Sequence, residues 1–226
     1  MYQTLLLDVD GTLLDFEKSQ AKALELAFAR YGYPLTERIV CLYNQINQSL
    51  WKRYERGEIT REDVIYGRFE HLFRETGIKG DPAAFEDTYQ DFLGSGAYLL
   101  EGALDLVQYL FRKYTLYIIT NGVTATQRRR LTDSGLEIYM KDIFISGELG
   151  VQKPRKEYFD ACIRRMKDPG SRNSMLIIGD TLSSDILGGL QAGIDTCWYN
   201  PGFADPDPEI PATFEVHSFR ELKHLL

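Results

Sequence analysis

Short apolar runs that end in polar residues recur along this chain, and their pattern sets the reading of the fold. Leu5-Leu6-Leu7 runs into Asp8-Val9-Asp10-Gly11-Thr12, and Leu116-Tyr117-Ile118-Ile119 into Thr120-Asn121-Gly122. Ile143-Phe144-Ile145 runs into Ser146-Gly147, and Met175-Leu176-Ile177-Ile178 into Gly179-Asp180-Thr181. Apolar runs this short, bounded by turn residues, predict buried strands. A longer period governs the stretch from about Asp15 to about Ser95. Phe16, Leu24, Ala27, Phe28 and Tyr31 recur at helical spacing, and Gly32 marks a stop. Thr36 can cap a second helix carrying Ile39, Val40, Tyr43, Ile46, Leu50, Trp51 and Tyr54. Thr60 with Asp63 predicts a capping box for a third helix, with Ile65, Phe69, Leu72 and Phe73 on one face. Asp81-Pro82 opens a fourth, carrying Phe85, Tyr89 and Phe92. Tyr43, Trp51 and Tyr54 read as core rather than as a stacking platform for a ligand. From about Leu100 onward strand and helix alternate, the signature of a parallel α/β sheet. The first strand belongs with that later portion, so the predicted organisation is an α/β core of residues 1–14 and 97–226 with a helical insert of residues 15–96.

Composition narrows the function classes. The chain has 226 residues, 44% of them hydrophobic, enough for one core domain and a modest insert. Its 33 acidic and 26 basic residues leave a net charge of −7. That balance argues against the broad basic surface that binds nucleic acid polymers. A mononucleotide remains compatible, because a bound cation can dominate the field at one site. Cys41, Cys162 and Cys197 are far apart and show no C-x-x-C spacing, which predicts neither disulfides nor zinc and points to a reducing, cytoplasmic compartment. Met1-Tyr2-Gln3 opens the chain without a basic leader, and no apolar run approaches the eighteen or so residues of a membrane span. His71, His217 and His224 have no ligand spacing, and Asn47-Gln48-Ser49 reads as a chance match to a glycosylation site. Three consecutive arginines, Arg128-Arg129-Arg130, read as a solvated helix surface.

The strand ends carry the candidate chemistry. In extended backbone residues i and i+2 point the same way, so Asp8 and Asp10 can face one site together. Adjacent carboxylates repel unless a proton or cation lies between them. In a parallel sheet, ligands bind outside the carboxyl ends of the strands. There the chain would gather Asp8, Asp10, the Thr120 hydroxyl with nearby N–H groups, Lys153, Asp180 and Asp185. Oxygen ligands suit Mg2+, and the lysine and N–H donors suit phosphate oxygens.

Asp8-x-Asp10-Gly11-Thr12, then Thr120, then Lys153-Pro154, then Gly179-Asp180 followed by Asp185, resemble the four ordered motifs of the haloacid dehalogenase superfamily. Thr120-Asn121-Gly122 through Thr126-Gln127, Ser134-Gly135-Leu136, Ile145-Ser146 and Gly150-Val151-Gln152-Lys153-Pro154 are similar to its pyrimidine 5′-nucleotidase branch. Thr196-Cys197-Trp198-Tyr199-Asn200-Pro201 adds to that likeness. The resemblance implies a Rossmann-like parallel sheet with an inserted α-helical cap of the C1 type, hinged near Leu14-Asp15 and Gly94-Gly96. It implies a Mg2+-dependent phosphomonoesterase acting on a small phosphoester, foremost a pyrimidine nucleoside 5′-monophosphate. In that scheme Asp8 is the nucleophile and Asp10 the acid and base. Thr120, Asn121 and Lys153 bind the phosphate. Asp8, the Asp10 carbonyl and Asp180 hold the metal, and Asp185 orients Lys153 or a metal-bound water. A mutase or phosphatase for another small phosphoester such as a sugar phosphate, a metal-free 2-haloacid dehalogenase, and a silent binding protein are the alternatives.

Overall fold

Six parallel strands form one sheet in the order β3-β2-β1-β4-β5-β6: β1 (Thr4–Leu7), β2 (Thr115–Thr120), β3 (Asp142–Ile145), β4 (Met175–Gly179), β5 (Asp195–Tyr199) and β6 (Phe214–Val216). They belong to a computed structural model that describes residues 2–226. Alternation along each strand divides the core between the two faces of the sheet. Leu5, Leu7, Leu116, Ile118, Leu176 and Ile178 enter one cluster, against Leu106, Val107 and Leu110 of α5 (Ala103–Phe111). Leu6, Tyr117, Ile119 and Ile177 enter the other, against Tyr158, Phe159 and Cys162 of α7 (Lys156–Arg165). A strand with both faces covered has no polar face, which is why these runs read as continuous rather than alternating.

The register decides where the strand ends lie. Leu7 of β1 stands beside Ile118 of β2 on one side and Ile178 of β4 on the other. The chain builds outward through β2 and β3, then returns to add β4 on the opposite side of β1. That reversal of strand order opens the crevice in which doubly wound sheets bind ligands. Asp8, Thr120 and Asp180 all sit at strand ends around it.

The chain divides into two compact units, Met1–Phe16 with Ala97–Leu226, and Glu17–Gly96. The second unit is built from α1 (Phe16–Tyr31) beyond its first residue, α2 (Glu37–Glu55), α3 (Arg61–Thr76) and α4 (Pro82–Gly94). Their starts follow capping chemistry. Thr36 Oγ1 accepts the Ile39 N–H at 3.3 Å. Thr60 and Asp63 bond reciprocally, 3.2 Å to the Asp63 N–H and 2.8 Å from the Thr60 N–H. Asp81 Oδ1 accepts from Ala83 and Ala84, with Pro82 at the first helical position. Each cap satisfies N–H groups that a helix start otherwise leaves unpaired.

The buried face of α3 differs from its apolar pattern. Val64, Arg68, Phe69, Leu72 and Phe73 point inward, and Ile65 lies at the margin. Arg68 enters the core because Glu86 of α4, itself fully buried, receives it through two hydrogen bonds, 2.7 Å from Nε and 2.5 Å from Nη2. Asn47 accepts a third at 3.2 Å, and the guanidinium lies 4.7 Å from the centre of the Tyr89 ring. The Phe69 ring centre lies 5.7 Å from the same guanidinium, and Phe69 packs edge-to-face on Phe73 and Phe85, with Phe28 on Phe85. Tyr43 and Tyr54 are core residues as expected, whereas Trp51 is half-buried against Tyr54. No helix among the described residues is long and apolar enough to cross a membrane.

Removing one partner of a buried ion pair strands the other charge and costs about 3–5 kcal/mol. Arg68→Met is therefore expected to lower the urea midpoint of the helical unit by a corresponding amount, followed through Trp51 fluorescence in a Trp198→Phe background. The double variant Arg68→Met/Glu86→Leu is expected to recover most of the loss. A single variant as stable as the parent would show that Glu86 is hydrated.

Candidate active site

The turn after β1 is tied by one carbonyl. Val9 O accepts from the N–H groups of Thr12, Leu13 and Leu14, while the Asp8 N–H still bonds to Ile178 O at 2.9 Å. Asp8 is thus the last residue held to the sheet before the chain turns. Gly11 takes φ +81°, and a Cβ there would lie 2.3 Å from Asp180 Oδ2. The turn therefore needs glycine twice over, for its left-handed backbone and for the carboxylate lying against it. Thr12 Oγ1 stands 3.4 Å from both Asp8 Oδ2 and Asp180 Oδ1.

Lys153 lies at the centre of the site. Its Nζ donates to Asp8 Oδ1 at 2.6 Å, to Asp185 Oδ1 at 2.6 Å and to Ile119 O at 3.3 Å. An ammonium has three N–H donors, and these acceptors use all three. The loop that carries it is fixed by the Asn121 amide, which gives Nδ2–H to Lys153 O at 3.0 Å and accepts the Lys153 N–H at 2.9 Å. Asp185 has its other oxygen on the Thr181 N–H at 3.2 Å. Its carboxylate presses on the end of β4, where a Cβ on Gly179 would meet Asp185 Cγ at 2.3 Å. Asp180 receives weaker contacts, from the hydroxyls of Thr12 and Thr181 at 3.4 and 3.3 Å, and its carbonyl accepts Trp198 Nε1–H at 2.8 Å.

Three carboxylates share this one ammonium. Oxygens of Asp8, Asp180 and Asp185 all lie within 4.8 Å of one another. Burial drives the Asp8 carboxyl well above the ordinary range, against the pull of Lys153, and the charges of Asp185 and Asp180 push the same way. Burial, then Asp185, raises Asp180 to about 7. Burial by itself would lower Lys153, but Asp185 and Asp8 more than reverse it and the ammonium is held firmly charged. Three carboxyl groups thus stand around one ammonium, and the donors they offer are hard oxygens. That set fits a divalent cation such as Mg2+.

A second set of contacts joins Asp10 to Thr120. Asp10 Oδ2 accepts Gln127 Nε2–H at 2.6 Å, and Asp10 Oδ1 accepts Arg130 Nη1–H at 2.5 Å. Gln127 Nε2 also donates to Thr120 Oγ1 at 2.9 Å, and the Gly122 N–H reaches the same oxygen at 3.1 Å. The Thr120 N–H is anchored to the hydroxyl of Tyr158, which itself donates to Phe144 O. Both partners of Asp10 come from α6 (Thr124–Asp133).

The structure thus brings Asp8, Lys153, Asp180 and Asp185 into one cluster. It links Asp10 to Thr120 through Gln127, and spends the side chain of Asn121 on the Lys153 loop. It corrects the reading of the three arginines. Arg129 is exposed and Arg128 pairs with Glu148, but Arg130 is buried on Asp10 with its guanidinium 5.9 Å from the Phe16 ring. The signal was present in the phase of the helix: Gln127, Arg130 and Leu131 lie at i, i+3 and i+4, and Leu131 is core.

Comparison with known proteins places this geometry in context. A family model described as haloacid dehalogenase-like hydrolase matches residues 2–193. The HAD-hydrolase YfnB of Bacillus subtilis is 46% identical over 225 residues, covering 100% of this chain and 95% of that protein. A crystal structure of YfnB bound to magnesium superposes with a TM-score of 0.94 at 47% identity, covering 100% of this chain and 98% of that one. The pyrimidine 5′-nucleotidases PynA of Streptococcus pneumoniae and YjjG of Escherichia coli are 37% and 34% identical, covering 98% and 97% of this chain and 93% and 95% of theirs.

Gly11→Ala is expected to cost more than about 1 kcal/mol, since alanine is strained at positive φ, and to drive the Asp180 carboxylate away from the turn. Thermal denaturation and a crystal structure of the variant test this. A variant of parental stability with Asp180 in place would contradict the close approach.

Proposed function

The chain belongs to the haloacid dehalogenase-like hydrolase family, and on that premise we propose that it is a Mg2+-dependent phosphomonoesterase of pyrimidine nucleoside 5′-monophosphates. The observation that carries the chemistry is the buried Asp8 carboxylate at the sheet's crevice, fixed by Lys153 and adjoined by Asp180. The names of PynA and YjjG support the substrate class.

Asp8 attacks phosphorus through a carboxylate oxygen. The new O–P bond forms as the bond to the nucleoside oxygen breaks, and Asp10 gives that oxygen a proton. Water then attacks the aspartyl-phosphate, Asp10 takes the water's proton, and Asp8 is regenerated. Splitting one displacement into two lowers the barrier of each, and positioned acid–base help contributes about 10²–10⁴-fold. Thr120 and the Asn121 N–H hold the phosphate oxygens. Lys153 has its N–H groups committed to protein acceptors, so it acts by aiming Asp8 and by its charge.

Asp8, Asp180 and the Asp10 carbonyl would hold the Mg2+. Asp185, bonded to Lys153 and to the Thr181 N–H, is assigned to orient Lys153 or a metal-bound water. The bound ion supplies charge neutralisation between the anionic nucleophile and the anionic phosphate. A metal-free dehalogenation leaves Asp10 and Asp180 without a task. The helical unit Glu17–Gly96, inserted between β1 and β2, is proposed as a cap that excludes water during the reaction. The interdomain movement described for YfnB supports that part.

Phosphate release from a panel of nucleoside monophosphates tests the substrate. Pyrimidine nucleotides are expected to exceed purine nucleotides in kcat/KM, and a flat profile would leave only a general phosphatase. Asp8→Asn is expected to lose about 10⁴-fold or more in kcat with an unchanged circular dichroism spectrum, and retained turnover would remove Asp8 as nucleophile.

The metal is tested separately. Chelation with EDTA is expected to abolish phosphate release and added Mg2+ to restore it, with Asp180→Ala raising the Mg2+ concentration needed. Full activity after exhaustive chelation would overturn the metal assignment.

A further inference from the structure

The contacts around Gln127 use every polar group of its amide. Both Nε2 hydrogens have an acceptor, Asp10 Oδ2 at 2.6 Å and Thr120 Oγ1 at 2.9 Å. Its Oε1 accepts Arg130 Nη1–H at 3.2 Å, and the same Nη1 bonds to Asp10 Oδ1. Gln127 and Arg130 are each 1% exposed, so water does not compete for these bonds. The arrangement also settles the orientation of the amide, since the reversed amide would set its oxygen against the Asp10 carboxylate and its NH2 against the Arg130 guanidinium.

The consequence for Thr120 follows from counting. A hydroxyl has two acceptor sites and one hydrogen. The Gly122 N–H and Gln127 Nε2–H fill both acceptor sites. The hydroxyl hydrogen is therefore left to donate, which is what binding an anionic oxygen requires. The consequence for Asp10 is geometric. With one oxygen on Gln127 and the other on Arg130, the plane of its carboxyl group is fixed, at a set distance from Thr120. Proton transfer and phosphate binding are thereby tied to one buried amide on α6.

We propose that Gln127, braced by Arg130, is a positioning residue that makes Thr120 a hydrogen-bond donor to the substrate phosphate and aims Asp10 at the leaving oxygen. The inference rests on the phosphomonoesterase reading above. Gln127 touches neither the phosphate nor the nucleophile; it acts through Thr120 and Asp10. Arg130 holds Gln127 and Asp10 in register by bonding both.

Gln127→Glu tests it, because the side chain keeps its shape while two donors become acceptors. The Thr120 hydroxyl hydrogen then turns toward the new carboxylate and Asp10 faces a like charge. Inhibition by inorganic phosphate is expected to weaken about tenfold or more, the loss of one hydrogen bond to a charged group. Single-turnover formation of the phosphoenzyme is expected to slow about tenfold more for a nucleoside monophosphate than for p-nitrophenyl phosphate, whose leaving group departs without a proton. Arg130→Lys keeps the charge and is expected to fall between this variant and the parent in both readouts. If Gln127→Glu does not fold, Gln127→Met removes the same donors without the added charge, and the same two readouts apply. A merely structural role would lower the melting temperature and the active fraction, slowing both substrates equally with phosphate inhibition unchanged, and that result overturns the proposal. Absence of phosphatase activity in the unmutated protein would instead overturn the underlying reading, and this inference with it, before any variant is compared.

Discussion

A single buried ammonium holds this site together. Lys153 is about as buried as the leucines of the sheet, and a charge in that position is tolerated only when paired and fully hydrogen-bonded. Asp8, Asp185 and Ile119 O meet that demand, and each acceptor belongs to a different part of the chain. Asp8 follows β1, Ile119 lies in β2, and Asp185 lies in the short π-helical segment Leu182–Ile186 after β4. The pairing that makes the lysine tolerable therefore also locks three segments into a common geometry. A third carboxyl group, Asp180, stands beside the two bonded to that ammonium, and three carboxyl groups to one ammonium suit the site to a divalent cation.

The glycines near the cluster obey the same constraint. Gly11 and Gly179 stand where carboxylates of the site lie against the backbone, and a Cβ at either would fall 2.3 Å from an atom of Asp180 or Asp185. Fixed carboxylates need close backbone, and close backbone needs glycine. The helical unit solves a parallel problem on its own. Its Arg68 is accepted by Glu86 and Asn47 beside the rings of Phe69 and Tyr89, so its core too is specified by a charge that has one place to go. Apolar packing alone tolerates many arrangements, whereas a buried charge tolerates very few.

The element types were written in local pattern. Leu5-Leu6-Leu7 and Met175-Leu176-Ile177-Ile178 formed strands because short apolar runs bounded by turn residues have few other uses, and Thr36, Thr60 and Asp81 began helices because their side chains satisfy the first N–H groups. The parallel α/β class followed from the alternation of strand and helix patterns, and the family from motif order along the chain. These features depend on neighbours in sequence, and one chain displays them. Which polar residues turn inward was not legible in the same way. Arg68 and Arg130 have the composition of surface residues, and only Glu86 and Asp10, eighteen and 120 positions away, make their burial possible. Phase could have placed Arg130 beside Leu131, but phase says nothing about a partner across the fold. The strands, the helix starts and the residue types at the strand ends are legible in one chain, because those rest on backbone geometry and local hydrogen bonding. Only the folded arrangement shows that Lys153 spends all its hydrogens on protein acceptors, that Asp185 bonds both Lys153 and the Thr181 N–H, and that Gln127 joins Asp10 to Thr120, because each is a matter of which distant groups share a buried space.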